Sequence, residues 1–396
     1  MRIEPRFFGG GAVAALALSI VPCAACGSTF GANAVGDDGG APEATTDDAG
    51  HVGDDASVDA AGSHDAGPTG PEPCTTLGDV QACTTASGAA GAQTCWGTTG
   101  PHPTLVWGTC YAVTCDATAQ PRPGEACIPA GSFTMGGLQT DAGPEGDTLP
   151  AHTVTIRRRF YVDQYEVKLA DFTQWWNATP RPTPTNGTVI FVGGSGDPIV
   201  WQGGVQPPGT QQGYGCTSGG ANGQYPVTCV SWETALAYCA AQGKRLPTEA
   251  EWEYVATGQG AGNPYPWGTQ APDCSHALFG SQCSWPQAVG TSCAAGNTAA
   301  GAVNDLAGDE AEWTLDFAPP FACQPMNKCW PSGSNDPVAA TDNGQGYVVR
   351  GGSWESTADQ IQTRARASMA DQCMQGSTSC AQYAGTVGFR CVRDER

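Results

Sequence analysis

The side chains of this sequence that could carry out chemistry are mainly thiols and carboxylates. Cysteine occurs 19 times, whereas histidine occurs only five times, at positions 51, 64, 102, 152 and 276. So many cysteines in one chain are typical of an oxidising compartment, where they pair as disulfides. With so few imidazoles, a catalytic site built on several histidines is not expected.

Acidic residues outnumber basic residues by 38 to 17, and the two kinds are unevenly distributed. The net charge of −21 argues against nucleic-acid binding, because phosphate contacts require clustered Lys and Arg. No basic residue occurs between Arg6 and Arg122, although that stretch contains twelve carboxylates. This asymmetry predicts an acidic tail ahead of the main domain.

Residues 1–25 have the pattern of a signal peptide. Arg2 and Arg6 form a basic start, and the apolar run after them is too short to span a membrane comfortably. Small residues precede Cys26, as at a bacterial lipoprotein cleavage site, so Cys26 is predicted to be lipidated. Ordinary secretion after Ala25, with Cys26 in a disulfide, is the alternative. Lipidation would leave 17 cysteines and therefore at least one unpaired thiol.

Three segments follow the signal peptide. Residues 26–73 are mostly Gly, Ala, Asp, Ser and Thr. Such a segment cannot bury enough apolar surface to fold, so it is predicted to be a disordered acidic tether. Residues 74–127 contain six cysteines, which indicates a small disulfide-rich spacer whose pairing the sequence does not determine. Residues 128–396 are predicted to form the main domain.

The strand patterns of the main domain are short. Apolar residues at positions 154, 156, 160 and 162 fall on alternating positions, which predicts strands with one buried face. Three arginines, Arg157 to Arg159, interrupt this pattern. We expect them at an exposed strand edge, and a docking patch is the less common alternative.

Helical patterns occur at three places. Apolar residues at positions 169, 172 and 176 are spaced as one helical face. A second helix is predicted after Ser231, which is a suitable N-cap. A third is predicted after Thr248, because Thr248 and Glu251 form the capping-box pattern.

Several motifs occur in an order that resembles one protein family. The longest is GKRLPTEAEWEY at residues 243–254, and it is followed by RGGSW at 350–354 and GFR at 388–390. Shorter ones are IPAGSFTMG at 128–136, YEV at 165–167, YPV at 225–227, VSW at 230–232, YPWG at 265–268 and EW at 312–313. Together they resemble the sulfatase-modifying-factor domain of formylglycine-generating enzymes. The resemblance implies an α+β, C-type-lectin-like fold with little regular secondary structure, which suits a chain with 55 Gly and 30 Pro.

The resemblance also implies where a copper site would lie. In the oxidising members of the family, two cysteines shortly after the GGS motif bind copper(I) and activate oxygen, which converts a sulfatase cysteine into formylglycine. The corresponding positions here are Ser356 and Ile361, and no cysteine lies between Cys329 and Cys373. Because copper(I) requires soft ligands, copper is not expected in this chain.

A calcium site of the family is implied in the segment NDLAGDEAEW at residues 304–313. The family pattern assigns carboxylate ligands to Asp305 and Glu312, and main-chain carbonyl ligands to Leu306, Gly308 and Glu310. Hard oxygen ligands on an irregular loop suit calcium. A solvated acidic turn is the alternative interpretation.

The resemblance implies one long-range disulfide. Family members with cysteines at the positions of Cys239 and Cys391 join them, and a reduced, buried Cys239 is the alternative. Pairs of neighbouring loop cysteines are also expected, namely Cys323 with Cys329 and Cys373 with Cys380.

Two classes of function follow. The first is a non-oxidising binding or accessory module, exported and held on the envelope membrane only by its lipid anchor, or else secreted or periplasmic. Its ligand would be an envelope protein, a peptide or a glycan. The second is an enzyme, either a formylglycine-generating oxidase acting on sulfatase cysteines or another enzyme of this fold. The missing cysteine pair and the scarcity of histidine favour the first class.

Overall fold

Short strands, turns and a few helices make up the part of the chain whose structure is described. This computed structural model describes residues 75, 80–84, 90–97, 105–107, 110–137, 151–193, 198–205, 216, 223–280, 283, 287–291, 298–299, 302–318, 335–342, 344–369 and 385–395. All of them belong to one unit, Gly67–Arg396. The predicted signal peptide and tether, Cys26 and the predicted pairs Cys323–Cys329 and Cys373–Cys380 lie outside the described residues.

Three helices lie in the described part of the chain. They are α1 (Leu169–Trp176), α2 (Trp232–Ala241) and α3 (Glu249–Ala256). None of the described helices is long and apolar enough to cross a membrane.

The predicted face of α1 packs against the core, with Phe172 buried and Leu169 and Trp176 partly buried. Phe172 and Trp175 are the buried aromatic residues of this helix, whereas Trp176 is half-buried. The Arg181 guanidinium lies 3.5 Å from the ring centre of Trp176 and covers it. Trp175 and Trp176, the third and fourth residues after Phe172, both lie on the side of the helix that Phe172 occupies. The apolar spacing alone therefore does not predict which of the two is more deeply buried.

The caps of α2 and α3 explain where these helices begin. The Ser231 side chain accepts a hydrogen bond from the Thr234 amide at 3.2 Å. Thr248 Oγ1 accepts from the Glu251 amide at 3.1 Å, and a Glu251 carboxylate oxygen accepts from the Thr248 amide at 2.9 Å. Each cap satisfies amides that the first helical turn leaves without partners, and both predicted caps are confirmed.

The described strands are short and form several small sheets. They are β1 (Val80–Thr84), β2 (Ala90–Gly97), β3 (Leu105–Trp107), β4 (Tyr111–Ala112), β5 (Glu125–Ile128), β6 (Gly131–Met135), β7 (His152–Ile156), β8 (Phe160–Asp163), β9 (Val189–Val192), β10 (Pro198–Val200), β11 (Thr298–Ala299), β12 (Val303–Asn304), β13 (Ala311–Phe317), β14 (Tyr347–Arg350), β15 (Arg366–Met369), β16 (Val387–Gly388) and β17 (Val392–Asp394).

Two sheets bring segments from distant parts of the chain together. In the three-stranded antiparallel sheet the order is β17, β8, β5, so the C-terminal strand pairs with a strand from the start of the domain. In the four-stranded sheet the order is β15, β14, β13, β16, and only β13 and β16 are parallel. Strand β5 spans the predicted boundary between residues 127 and 128, so the three-stranded sheet begins within the cysteine-rich segment.

The remaining described strands pair locally. β1 to β4 form a separate four-stranded sheet near the N-terminal end of the described residues, with β2 paired to the other three. β6 pairs with β7, β9 with β10, and β11 with β12. The β9–β10 pair forms a hairpin whose Val189 and Val192 side chains are exposed.

The expectation that Arg157 to Arg159 mark an exposed strand edge is wrong. Arg157 pairs with Asp336 at 2.7 Å, and Arg159 is 2% exposed and pairs with Glu395. These partners lie 179 and 236 residues further along the chain. The local pattern could not reveal them, and buried arginines require such partners.

Five disulfides join the cysteines whose side chains are described. One connects Cys239 on α2 to Cys391, with 5.6 Å between the Cα atoms, and this is the pair that the family resemblance implies. The other four are Cys83–Cys110, Cys115–Cys127, Cys216–Cys229 and Cys274–Cys283. So many disulfides suggest an exported protein.

Candidate functional site

The RGGSW motif forms a tight loop that brings Ser356 and Ile361 together. β14 ends at Arg350, and Gly351 and Gly352 follow with φ angles of +90° and +65°. A Cβ atom on Gly352 would lie 3.0 Å from Ile361 Cγ2 and 3.1 Å from Ser356 Oγ. Both side chains therefore border the same point, and only glycine leaves room for them there.

Neither side chain at this point is a ligand for copper(I). Ile361 is fully buried in an apolar cluster that includes Tyr265 and Phe279. The Ser356 hydroxyl oxygen accepts a hydrogen bond from the Ser353 amide at 2.9 Å. Every cysteine whose side chain is described is in a disulfide, so the described residues offer no thiolate pair for a soft metal.

The acidic loop at residues 304–313 is held against the RGGSW loop by main-chain hydrogen bonds. The Gly308 amide donates to the Gly351 carbonyl at 3.0 Å, and the Trp354 amide donates to the Asp309 carbonyl at 2.9 Å. A Cβ atom on Gly308 would lie 2.1 Å from the Leu278 carbonyl oxygen. Glycine is required at that position, and the acidic loop is fixed on two sides.

The Glu312 carboxylate, one of the predicted calcium ligands, binds Arg390. Its Oε1 accepts from Arg390 Nη2 at 2.6 Å, and its Oε2 accepts from Arg390 Nε at 2.7 Å and from Trp252 Nε1 at 2.9 Å. Glu312 lies in β13 opposite Gly388 of β16, and Arg390 follows two residues later in the GFR motif. The charge of Glu312 is therefore already balanced.

Asp305 and Asp309, on the same loop, each accept a hydrogen bond from a main-chain amide. Asp305 Oδ2 accepts from the Gly290 amide, and Asp309 Oδ1 accepts from the Gln287 amide at 3.2 Å. Burial, and then the charge of Asp305, raises the pKa of Asp309 to about 8. The carboxylate of Glu310 is also buried and has no hydrogen-bond partner in the described structure.

Glu166, to which the sequence analysis gave no role, completes this acidic group. It is 2% exposed, and neither of its carboxylate oxygens has a hydrogen-bond partner in the described part of the chain. Burial raises the pKa of Glu166 well above its usual value. The charges of Asp309, Glu312 and Asp305 raise it further. Arg390 opposes them, but its charge is shared with Glu312.

The signal that could have identified Glu166 is the YEV motif itself. This glutamate stands between an aromatic and a β-branched residue, shortly after strand β8. The Val167 amide binds the Phe389 carbonyl at 2.8 Å, which places Glu166 beside the GFR motif. Because these two motifs are more than 200 residues apart in sequence, only the fold shows the contact.

The family pattern implies calcium at this acidic group. Buried carboxylates without hydrogen-bond partners are unfavourable, as Glu166 is here, and Arg390 is shared among the charges of Glu312, Glu166 and Asp305. Calcium prefers oxygen ligands, including main-chain carbonyls. No three His, Cys, Asp or Glu side chains among the described residues form a group that could hold a metal by themselves. A calcium ion here would therefore depend on the carbonyls of the loop.

Residues 112–395 match the family described as the sulfatase-modifying factor enzyme 1-like domain. The formylglycine-generating enzyme of Streptomyces coelicolor is 29% identical over 309 residues, which cover 70% of this chain and 91% of that enzyme. A protein of Mus musculus named inactive C-alpha-formylglycine-generating enzyme 2 is 29% identical over 298 residues, which cover 68% of this chain and 85% of that protein.

PvdO from Pseudomonas aeruginosa has a similar fold, with a TM-score of 0.50 and 21% sequence identity over 68% of this chain and 94% of PvdO. This similarity and the few helices among short strands confirm the expected α+β fold. The family match includes all the motifs from IPAGSFTMG to GFR. The chain therefore belongs to the family of proteins with a sulfatase-modifying factor enzyme 1-like domain.

Proposed function

We propose that this protein is a non-oxidising binding or accessory module of the cell envelope. It is exported and anchored through a lipid on Cys26, and its ligand is an envelope protein, a peptide or a glycan. The observation that carries the proposal is the pair Ser356 and Ile361 at the positions of the family's copper-binding thiols. The disulfides support export.

The surroundings of Ile361 support the loss of oxidase chemistry. A copper(I) site of the kind that the oxidising members use would need two soft ligands side by side. At this position the chain has instead a fully buried aliphatic side chain, packed among Tyr265, Phe279 and other apolar residues. The RGGSW loop is therefore present, but the ligand chemistry that the oxidising members need is not.

Calcium is proposed as a structural cofactor. The groups that would hold it are the side chains of Glu166, Asp305 and Glu312 and the carbonyls of Leu306, Gly308 and Glu310. Bound there, calcium would neutralise the buried carboxylates. It would also stabilise the loop whose main chain is hydrogen-bonded to Gly351 and Trp354 of the RGGSW loop.

An oxidase assay tests the central claim. The full chain is incubated with copper(I), oxygen and a peptide containing Cys-x-Pro-x-Arg, and aldehyde is measured by mass. We expect no aldehyde above a control without protein. The double variant Ser356→Cys/Ile361→Cys is a matched comparison, because it places two thiols at the point that both side chains border. Aldehyde formation by the unchanged protein would overturn the proposal and support the alternative, a formylglycine-generating oxidase.

Two further measurements address anchoring and partners. Mass analysis of the mature N-terminus should show a lipidated Cys26, and Cys26→Ser should release the chain from the membrane fraction. An unmodified chain that begins at Cys26 would instead identify a secreted or periplasmic protein. Pull-down from envelope extract, with bound molecules identified by mass, tests whether the ligand is a protein, a peptide or a glycan.

A further inference from the structure

A cavity lies between helices α1 and α2. One wall is formed by α1 and the turn after it, and the other by the end of α2 and the loop before β5. Its volume is about 660 Å³, within the range of small-molecule sites, roughly 300 to 1,000 Å³. Glu166 is among its lining residues, but no residue of the RGGSW loop or of the acidic loop is. The cavity is therefore separate from the position of the family's copper-binding thiols.

Two basic side chains in the wall of this cavity have no carboxylate partner among the described residues. Arg122 Nη1 donates to the Gln242 carbonyl at 3.0 Å, and Lys168 Nζ donates to Gln224 Oε1 at 3.0 Å. Neither cation is in a salt bridge, although most of the described basic side chains are. In a chain with a net charge of −21, these two cations are available to an anionic group of a ligand.

Three carboxylates also line the cavity. Asp163 forms an ion pair with Lys244, so the charges of these two side chains balance each other. Glu166 is the carboxylate that the proposed calcium ion would neutralise. Asp171, in the first turn of α1, makes no ion pair or side-chain hydrogen bond within the described part of the chain. The charges left over in the wall are therefore two positive and one negative, which suits a ligand with one negative charge.

The Tyr238 hydroxyl adds a neutral polar group to this cavity. The ring of Tyr238 packs edge-on against Trp175, with 5.5 Å between the ring centres. No described residue makes a hydrogen bond with the hydroxyl. Burial, and then the charges of Asp171 and Asp163, raise the pKa of Tyr238 above its usual value, so the hydroxyl stays protonated. It can therefore both donate a hydrogen bond to a ligand and accept one.

We propose that this cavity binds an acidic sugar, namely a hexuronate. The positive charges of Arg122 and Lys168 attract its carboxylate. Its ring hydroxyls both donate and accept hydrogen bonds, and Asp171 and the Tyr238 hydroxyl supply complementary groups. An organic cation is disfavoured by the two unpaired cations of the wall. A free amino acid is disfavoured because it carries no net charge and leaves one cation unmatched. The assignment names a ligand class for the proposed binding module and rests on that function.

The test compares an acidic sugar with its neutral counterpart. The full chain is titrated with methyl glucuronide, with methyl glucoside and with propionate, and binding is followed by calorimetry and by tryptophan fluorescence. The two sugars share their ring hydroxyls and differ in the carboxylate, whereas propionate has the carboxylate without the ring. We expect the glucuronide to bind about tenfold more tightly than the glucoside, which is the usual contribution of a hydrogen bond to a charged group. Propionate should not bind.

Substitutions at Lys168 separate its charge from a structural role. Its side chain makes no capping hydrogen bond to α1, so Lys168→Gln should fold normally. This variant should bind the glucuronide about tenfold more weakly, with the glucoside unaffected, and Arg122→Gln should have the same effect. Lys168→Arg keeps the charge and should retain most of the affinity.

Two further variants test the hydroxyl and the location of the site. Tyr238→Phe keeps the packing against Trp175 but removes the hydroxyl, so both sugars should bind about fivefold more weakly. Asp342→Asn alters an exposed carboxylate outside the cavity and should change neither affinity. A galacturonate trisaccharide, compared with the methyl glucuronide, distinguishes a unit of a polysaccharide from a single sugar, and binding of either supports the proposal.

Three results would overturn the assignment. They are no binding of either acidic sugar, equal binding of the glucuronide and the glucoside, and an unchanged glucuronide affinity in both Lys168→Gln and Arg122→Gln. Propionate binding as tight as that of the glucuronide would also overturn it, because the site would then recognise a carboxylate alone. Failure of the sugar assignment leaves the oxidase assay unaffected, because that assay reports on Ser356 and Ile361. Aldehyde formation in the oxidase assay would overturn the proposed module and would not change the sugar titration.

Discussion

Replacing Glu166 by glutamine should remove the response of this domain to calcium. In the absence of calcium, burial and the neighbouring carboxylates favour the protonated form of Glu166, because they raise its pKa well above the usual value. Glutamine resembles that neutral form in size and polarity. Glu166→Gln should therefore be nearly as stable as the unchanged protein is without calcium. It should not gain stability from calcium, because the charged oxygen ligand is lost.

The expected magnitude follows from mass action. If calcium binds the folded domain but not the unfolded chain, a free concentration of one hundred times Kd raises the free energy of unfolding by about 2.7 kcal/mol. For a domain of this size that corresponds to an increase in melting temperature on the order of 5 °C. The increase should be greater at pH 8 than at pH 5.5, because calcium binds deprotonated carboxylates and competes with protons for Glu166.

The assay is thermal unfolding with calcium and with excess chelator. The unchanged protein and Asp342→Asn, which alters an exposed carboxylate, should both melt at a higher temperature with calcium. Glu166→Gln should melt at nearly the same temperature in both conditions. The reasoning is refuted if the unchanged protein does not respond to chelator, or if Glu166→Gln keeps the full increase.

Three further predictions concern other parts of the domain. The double variant Cys239→Ala/Cys391→Ala removes the disulfide between residues 152 positions apart, and the chain-entropy model predicts that this lowers the free energy of unfolding by about 5 kcal/mol. Equal denaturant midpoints for variant and parent, or separate migration of the two cysteine peptides from the non-reduced parent, would contradict this prediction. Burial, and then Glu249, raises the pKa of Asp316 to about 8, so its protonated form stabilises the fold at low pH. That stability is lost as pH rises from about 4 to about 8, by up to about 1.4 kcal/mol per pH unit. The slope of the unfolding free energy against pH should be smaller in Asp316→Asn than in the parent. An identical slope would exclude Asp316 as the source of the pH dependence. Ser356→Cys/Ile361→Cys should bind copper(I) in a competition titration with a chromogenic chelator, and no gain over the parent would show that the two positions do not converge.

The local parts of this structure could be predicted from the sequence. The caps at Ser231 and Thr248 depend on residues three positions away, so their patterns are visible in a short window. The family motifs likewise predict the general fold. Ser356 and Ile361 could be assigned by counting from RGGSW, and the structure then shows them bordering one point at Gly352.

The rest depends on contacts between distant segments. Glu166 meets the acidic loop only because β8 and the GFR segment are neighbours in the fold. Arg157 and Arg159 look like exposed charges until Asp336 and Glu395 are brought to them. Charge at a position is visible in a sequence, but the partner that allows its burial is not.

The position of β17 has a consequence for the order in which this domain can fold. Residues 389–392 supply an inner aromatic ring, the partner of Glu312, the second half of a disulfide and the start of β17. As the chain enters the oxidising compartment, the acidic loop therefore arrives before its arginine, and Cys239 is available to other thiols before Cys391 follows. A chain of this kind needs its oxidation to be delayed or its early disulfides to be exchanged, so disulfide isomerase activity should increase its yield in a cell.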